Sequence, residues 1–166
     1  MQYYLSRYMP DKMERMLQLV GEFFDVKNDP EQLNITEEVM GKLMQINPST
    51  MVEYNEGDGP IVWIIIIPVK EGTMNRFLKG EISEGKLLDE IMPGDKLDAI
   101  YLCSASVLPE YRRRGLAKKL TVDAITEIRK AYPVKKLFYW SFSPEGDALA
   151  ASIAKAVNLP LYKRQQ

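Results

Sequence analysis

Apolar side chains return every three or four positions in four stretches of this chain and crowd into strand-like runs between them. Met13, Met16, Leu17, Val20, Phe23 and Phe24, behind Pro10-Asp11, predict an amphipathic helix, since proline suits a first helical turn. Asn28-Asp29-Pro30 interrupts it, and a second helical stripe (Leu33, Ile35, Val39, Met40, Leu43, Met44) stops at Asn47-Pro48. Residues 3–8 read as a short first strand. Residues 51–55 and 61–69 read as two strands across the turn-rich loop 55–60, and the isoleucine run of the second marks a strand buried on both faces. Residues 71–96 form a more polar connection with short helices starting near Thr73 and Ser83; connections of this length are often functional, and a surface insertion without a role reads equally well. Residues 99–108 form the next strand. A helix from about Gly115 then carries Leu116, Leu120, Ala124, Ile125, Ile128 and Ala131 on one stripe until Pro133. A strand at 136–141, a helix at 145–158 and a short strand at 159–164 complete the pattern.

Composition narrows the class. With 166 residues, 46% apolar and 27% charged, the chain can bury one core and reads as a single domain, residues 1–166. The run Ile61-Val62-Trp63-Ile64-Ile65-Ile66-Ile67 is far shorter than the roughly 20 residues that span a bilayer, and no export signal opens the chain, so a cytoplasmic protein without membrane contact is expected. A lone Cys103 and the complete lack of His exclude a disulfide framework, an ordinary zinc site and Ser-His-Asp or Cys-His catalysis; no metal is expected. Seven of the nine Met lie in residues 1–51, where they suit either an adaptable pocket or plain packing. Charge is uneven. Residues 1–60 hold five basic and eleven acidic side chains, residues 108–166 twelve and five, a dipolar arrangement that suits two ligands of opposite sign.

The chemistry concentrates in Val107-Leu108-Pro109-Glu110-Tyr111-Arg112-Arg113-Arg114-Gly115-Leu116-Ala117, between a strand and a helix. Gly115 allows a tight turn and close approach of a ligand. The unbonded N–H groups of the first helical turn and the positive end of the helix dipole form an anion site. Arg112, Arg113, Arg114, Lys118 and Lys119 add positive charge, and guanidinium groups fork onto phosphate oxygens. This is chemically a diphosphate cradle. It is not a nucleotide P-loop, because no Gly-Lys-Ser/Thr follows, nor a dinucleotide fingerprint, which needs three spaced glycines.

Arg112-x-x-Gly115-x-Ala117, led by Val107-x-Pro109-x-Tyr111-Arg112, resembles the signature of the GCN5-related N-acetyltransferases. The match covers residues 99–158 well and residues 3–69 only by element order. The resemblance implies an α/β (α+β) fold: a mixed, mostly antiparallel central sheet flanked by helices, with a splayed strand pair at the cofactor site. It implies that residues 97–158 bind acetyl-coenzyme A and that the helical residues 1–60 face the acceptor. The cofactor-binding positions carried over are Arg112, Arg113, Arg114, Gly115, Leu116, Ala117 and Lys118 for the diphosphate, Ala105 and Val107 for the pantetheine arm, and Ser143 where the family often has an Asn. The amide of Ala105 would steady the developing oxyanion. Tyr101 stands where some members keep a basic Glu. Tyrosine is a poor base, so it either orients water or belongs to the core; Glu53 and Asp98 are alternative bases.

The departures from the pattern are also informative. Aligning Asn158 with the glycine that usually closes the last helix puts Ala154, with Ser152 nearby, where many members have a proton-donating Tyr. The chain also continues only eight residues past Asn158, so the amine pocket is expected from the first two helices, from residues 71–96, or from a second copy in a homodimer. Three functions follow. The first is acetyl transfer from acetyl-coenzyme A to a primary amine of a small molecule or a protein, cationic if the acidic front half steers it. The second is a coenzyme A-binding module without catalysis. The third is nucleic-acid binding through the arginines, which one basic turn and an overall charge of −1 disfavour. Cys103 reads as core rather than nucleophile, and Trp140 to Phe142 as strand packing rather than base stacking.

Overall fold

The computed structural model describes residues 11–23 and 31–165. The expected strand at 3–8 and Phe24 lie outside the described residues. In chain order the elements are α1 (Asp11–Phe23), α2 (Glu37–Ile46), a 3-10 turn (Pro48–Thr50), β1 (Met51–Glu56), β2 (Gly59–Val69), α3 (Glu71–Leu78), α4 (Glu84–Asp89) and β3 (Ala99–Val107). A second 3-10 turn (Pro109–Tyr111), α5 (Leu116–Ala131), β4 (Lys136–Trp140), α6 (Pro144–Val157) and β5 (Leu161–Arg164) follow.

The strands form one sheet in the order β1-β2-β3-β4-β5. The β1/β2 and β2/β3 pairs are antiparallel and the β3/β4 and β4/β5 pairs parallel, the antiparallel ladders being the longer. The fold is therefore a mixed α/β sheet flanked by helices. β2 is buried along nearly its whole length, as its isoleucine run requires. On one face Met16, Ile64, Ile66, Ile100, Ile125 and Ile153 pack together under α1, α5 and α6. On the other, Leu43, Ile67, Met74, Phe77, Tyr101 and Phe138 pack under α2, α3 and α4.

Local chemistry sets the boundaries. Thr36 caps α2 by accepting from the Val39 amide at 3.2 Å, so Leu33 and Ile35 precede the helix that their spacing had been read into. The β1–β2 connection is a two-residue turn at Gly57-Asp58, with Gly57 at φ 69°, and not the six-residue loop that the turn-forming composition implied. Asn158 ends α6 in the left-handed conformation (φ 56°, ψ 49°), which Asn tolerates better than most side chains. The connection 71–96 is no loose surface insertion. Its two helices bury Met74, Phe77, Leu87 and Leu88 and close the second face of the sheet.

Candidate functional site

β3 and β4 pair only at Ala99↔Lys136, Ile100↔Leu137 and Tyr101↔Phe138. Beyond Tyr101 the strands splay. β4 runs on to Trp140 beside β5, and β3 continues for six residues bonded to β2 alone. The ladder to β2 slips between Ile65↔Ser104 and Ile66↔Leu102, which makes Cys103 the extra residue of a β-bulge, a device that bends a strand away from its neighbour. The Leu108 amide donates to Ile61 O at 3.0 Å and so faces β2. Strand groups alternate between edges, so the peptide groups of Ala105 and Val107 face the opposite, open edge. The Val107 carbonyl there accepts the Arg112 Nε at 3.0 Å.

The open edge leads into the basic bend. Arg113 holds a positive φ of 63°, unusual for a non-glycine residue, and Gly115 holds 74°. The first bond of α5 is Lys119 N–H to Gly115 O at 3.0 Å. Among the described residues, no protein acceptor takes the amides of Arg113 through Lys118. Consecutive amides around a left-handed residue, at the positive end of a 16-residue helix, are an arrangement whose partial positive charge suits an anion. A Cβ at Gly115 would meet nothing within 4 Å, so glycine serves the backbone conformation here and leaves the space above it open.

Fixed charges steady this bend. Lys12 Nζ and the Arg114 guanidinium both lie over the Tyr111 ring, 5.5 and 5.1 Å from its centroid. Arg15 of α1 forks onto both oxygens of Glu110, each at 2.6 Å. That bond holds the Glu110 carboxyl down at about 2 and neutralises the nearest negative charge to the bend.

The remaining expected residues are placed as follows. Tyr101 is 1% exposed, its ring against Phe77 and Phe138 at 5.1 Å, and its hydroxyl donates to Glu84 Oε2 at 2.5 Å. Burial, then the Glu84 carboxylate, pushes the phenol well above its ordinary value. Glu53 accepts the Trp63 indole at 2.7 Å on the exposed outer strand, and Asp98 accepts the Glu71 amide at 2.7 Å. Ser143 caps α6, its Oγ accepting the Gly146 amide at 3.0 Å. Cys103 is half-buried, and its thiol is pushed up by burial and then by Glu84. Ala154 is buried in the core of the α5/α6 face. Among the described residues, no cluster of His, Cys, Asp and Glu is placed to hold a metal ion, and no helix is long and apolar enough to cross a membrane.

Two polar groupings carry no sequence signal. Glu84, 7% exposed, accepts both Tyr101 and the Leu33 amide (2.6 Å) from the first turn of a six-residue helix. Asp147 accepts Ser141 at 2.7 Å and also Tyr139, whose phenol burial pushes up to about 12. Trp140 Nε1 is buried without an acceptor among the described residues.

No family model matches this sequence, and no curated protein matches it. Among solved structures, a chain of the NatB acetyltransferase complex bound to a bisubstrate inhibitor aligns at 14% identity with a TM-score of 0.37, over 66% of this chain. The aligned part spans about half (54%) of that chain.

Proposed function

We propose that this protein transfers an acetyl group from acetyl-coenzyme A to a primary amine. The observation that carries the reading is the continuous donor path from the free edge of β3 to the amide-lined bend before α5. The residues fit the cofactor: unpartnered amides from Arg113 to Lys118 suit a diphosphate, and outward peptide groups at Ala105 and Val107 suit an extended amide-bearing arm that pairs like a strand. Arg113, Arg114 and Lys118 supply the charge, and Arg112 keeps the end of β3 in place through Val107. The thioester supplies an activated acetyl carbon with a tolerable leaving group. The Ala105 amide donates to the thioester oxygen as negative charge builds there, a preorganised interaction of the kind that costs on the order of 10²–10³ in rate when lost.

The test pairs binding with turnover. Calorimetry should show coenzyme A binding to the wild type and a loss of about tenfold or more in Arg113→Ala/Arg114→Ala. Thiol release from acetyl-coenzyme A should accelerate with at least one member of a primary-amine panel. Binding without turnover on any amine favours the binding-module reading, which the aliphatic, buried Ala154 at the expected proton-donor position supports. Absence of binding removes both.

A further inference from the structure

α1 makes contacts that its own packing on the sheet does not require. Met16 is its buried anchor, yet the neighbouring Arg15 forks onto Glu110, 95 residues away in sequence, at 2.6 Å to each oxygen. Lys12, three residues earlier, lies over the Tyr111 ring and donates to Glu56 O. Residues 1–60 hold only five basic side chains, and two of them are thus committed to the 3-10 turn that leads into the basic bend.

Stability does not account for the fork. The two side chains are 37% and 44% exposed, and ion pairs so placed contribute little to folding. The turn does not need it as a brace either. Tyr111 N–H donates to Leu108 O at 2.9 Å, Arg112 N–H to Pro109 O at 3.3 Å and Arg112 Nε to Val107 O at 3.0 Å, all without α1. What the fork does change is charge. Glu110 stands three residues before Arg113, so its Cα lies within about 10 Å of the first unpartnered amide of the bend, about one screening length at 0.1 M salt. At that range a lone carboxylate repels a diphosphate, whereas a forked pair carries no net charge.

Resting on the acetyl-coenzyme A reading of the bend, we infer that Arg15 is a positioning residue of the cofactor site, and that its part is to mask Glu110 so that the bend keeps its positive potential towards a diphosphate. Arg15 touches no ligand in this scheme and acts through Glu110. α1, which the resemblance assigns to the acceptor side, thereby also serves the cofactor end. The other groups facing the pair are Asp11 and Lys12 on α1 and Tyr111 in the turn. Lys12 is already engaged by Glu56 O and, at 3.8 Å, by Asp58, so it does not replace Arg15.

The experiment is a double-mutant cycle on coenzyme A affinity, read by calorimetry at pH 7 and low salt. It uses wild type, Arg15→Gln, Glu110→Gln, the double variant and the charge-keeping Arg15→Lys, each first checked for cooperative unfolding. If Arg15→Gln does not fold, Arg15→Met takes its place in the cycle. Masking predicts about fivefold weaker binding in Arg15→Gln, a ratio to wild type that shrinks towards one as salt is raised to about 0.5 M. Arg15→Lys and the double variant should stay within about twofold of wild type, since the first keeps the mask and the second removes what it covers. Glu110→Gln alone should bind at least as tightly as wild type. Unchanged affinity in Arg15→Gln overturns the inference and leaves the cofactor reading standing. A double variant as weak as Arg15→Gln, the mark of a mechanical brace, does the same, as does an Arg15→Lys that is equally weak. Absence of coenzyme A binding by the wild type overturns the cofactor reading and this inference with it.

Discussion

The two ends of β3 solve opposite problems. At its end the peptide groups of Ala105 and Val107 face an open edge, and in the bend beyond it the amides from Arg113 to Gly115 take no protein acceptor among the described residues, with Arg113 and Gly115 at positive φ. At its start, Ala99 to Tyr101 are buried and paired on both edges, with Phe77 edge-on to the Tyr101 ring at 5.1 Å. The first region leaves donors without protein partners; the second spends its contacts on the fold and admits the hydrogen-bonded pair of Tyr101 and Glu84. Open backbone groups and buried, doubly paired residues are thus segregated between the start of β3 and its end with the bend beyond, so mutations in the two regions should have separable effects.

The largest expected effect is at the buried end. Phe77 touches Tyr101, Phe138 and Trp140 and is fully buried, so Phe77→Ala should lower the free energy of unfolding by about 3–5 kcal/mol in urea titration while the folded fraction binds coenzyme A as before. Next, Arg113→Ala/Arg114→Ala should change stability by less than about 0.5 kcal/mol while weakening coenzyme A by about 2 kcal/mol; a stability loss larger than the binding loss would erase the distinction. Gly115→Ala should cost about 1 kcal/mol of stability from its positive φ alone, since the new methyl meets nothing within 4 Å. The smallest effect is pH-dependent. The Glu110 carboxyl sits at about 2 in the folded chain against an ordinary 4.5, so the contribution of its bond to Arg15 is complete above about pH 4.5 and is lost as pH falls towards 2. The Tm difference between wild type and Glu110→Gln should shrink over that window and stay constant above it.

What the sequence disclosed follows the same division. The bend was legible because Gly115, three arginines and a helical stripe are local features, and the isoleucine run of β2 announced its burial directly. The splay also followed from the resemblance, and the strand pairing shows it. The bulge at Cys103 left no trace, because register is decided by the partner strand. Glu84 was illegible for a related reason. In Ile82-Ser83-Glu84-Gly85-Lys86 it reads as one more solvated carboxylate, and only the tertiary placement of Tyr101 and Leu33, 17 and 51 residues away, makes it a buried acceptor. The overlong second helix failed because apolar spacing alone does not see the Thr36 cap.

The most direct measurement is calorimetric titration of the wild type with coenzyme A and, in parallel, with pantetheine, which keeps the arm that would lie along β3 and lacks the diphosphate. Saturable binding of coenzyme A, at least about 100-fold tighter than pantetheine and weakening as salt is raised, is the predicted result. Equal affinity for the two compounds would contradict the diphosphate-gripping role of the bend before α5, as would no binding of either.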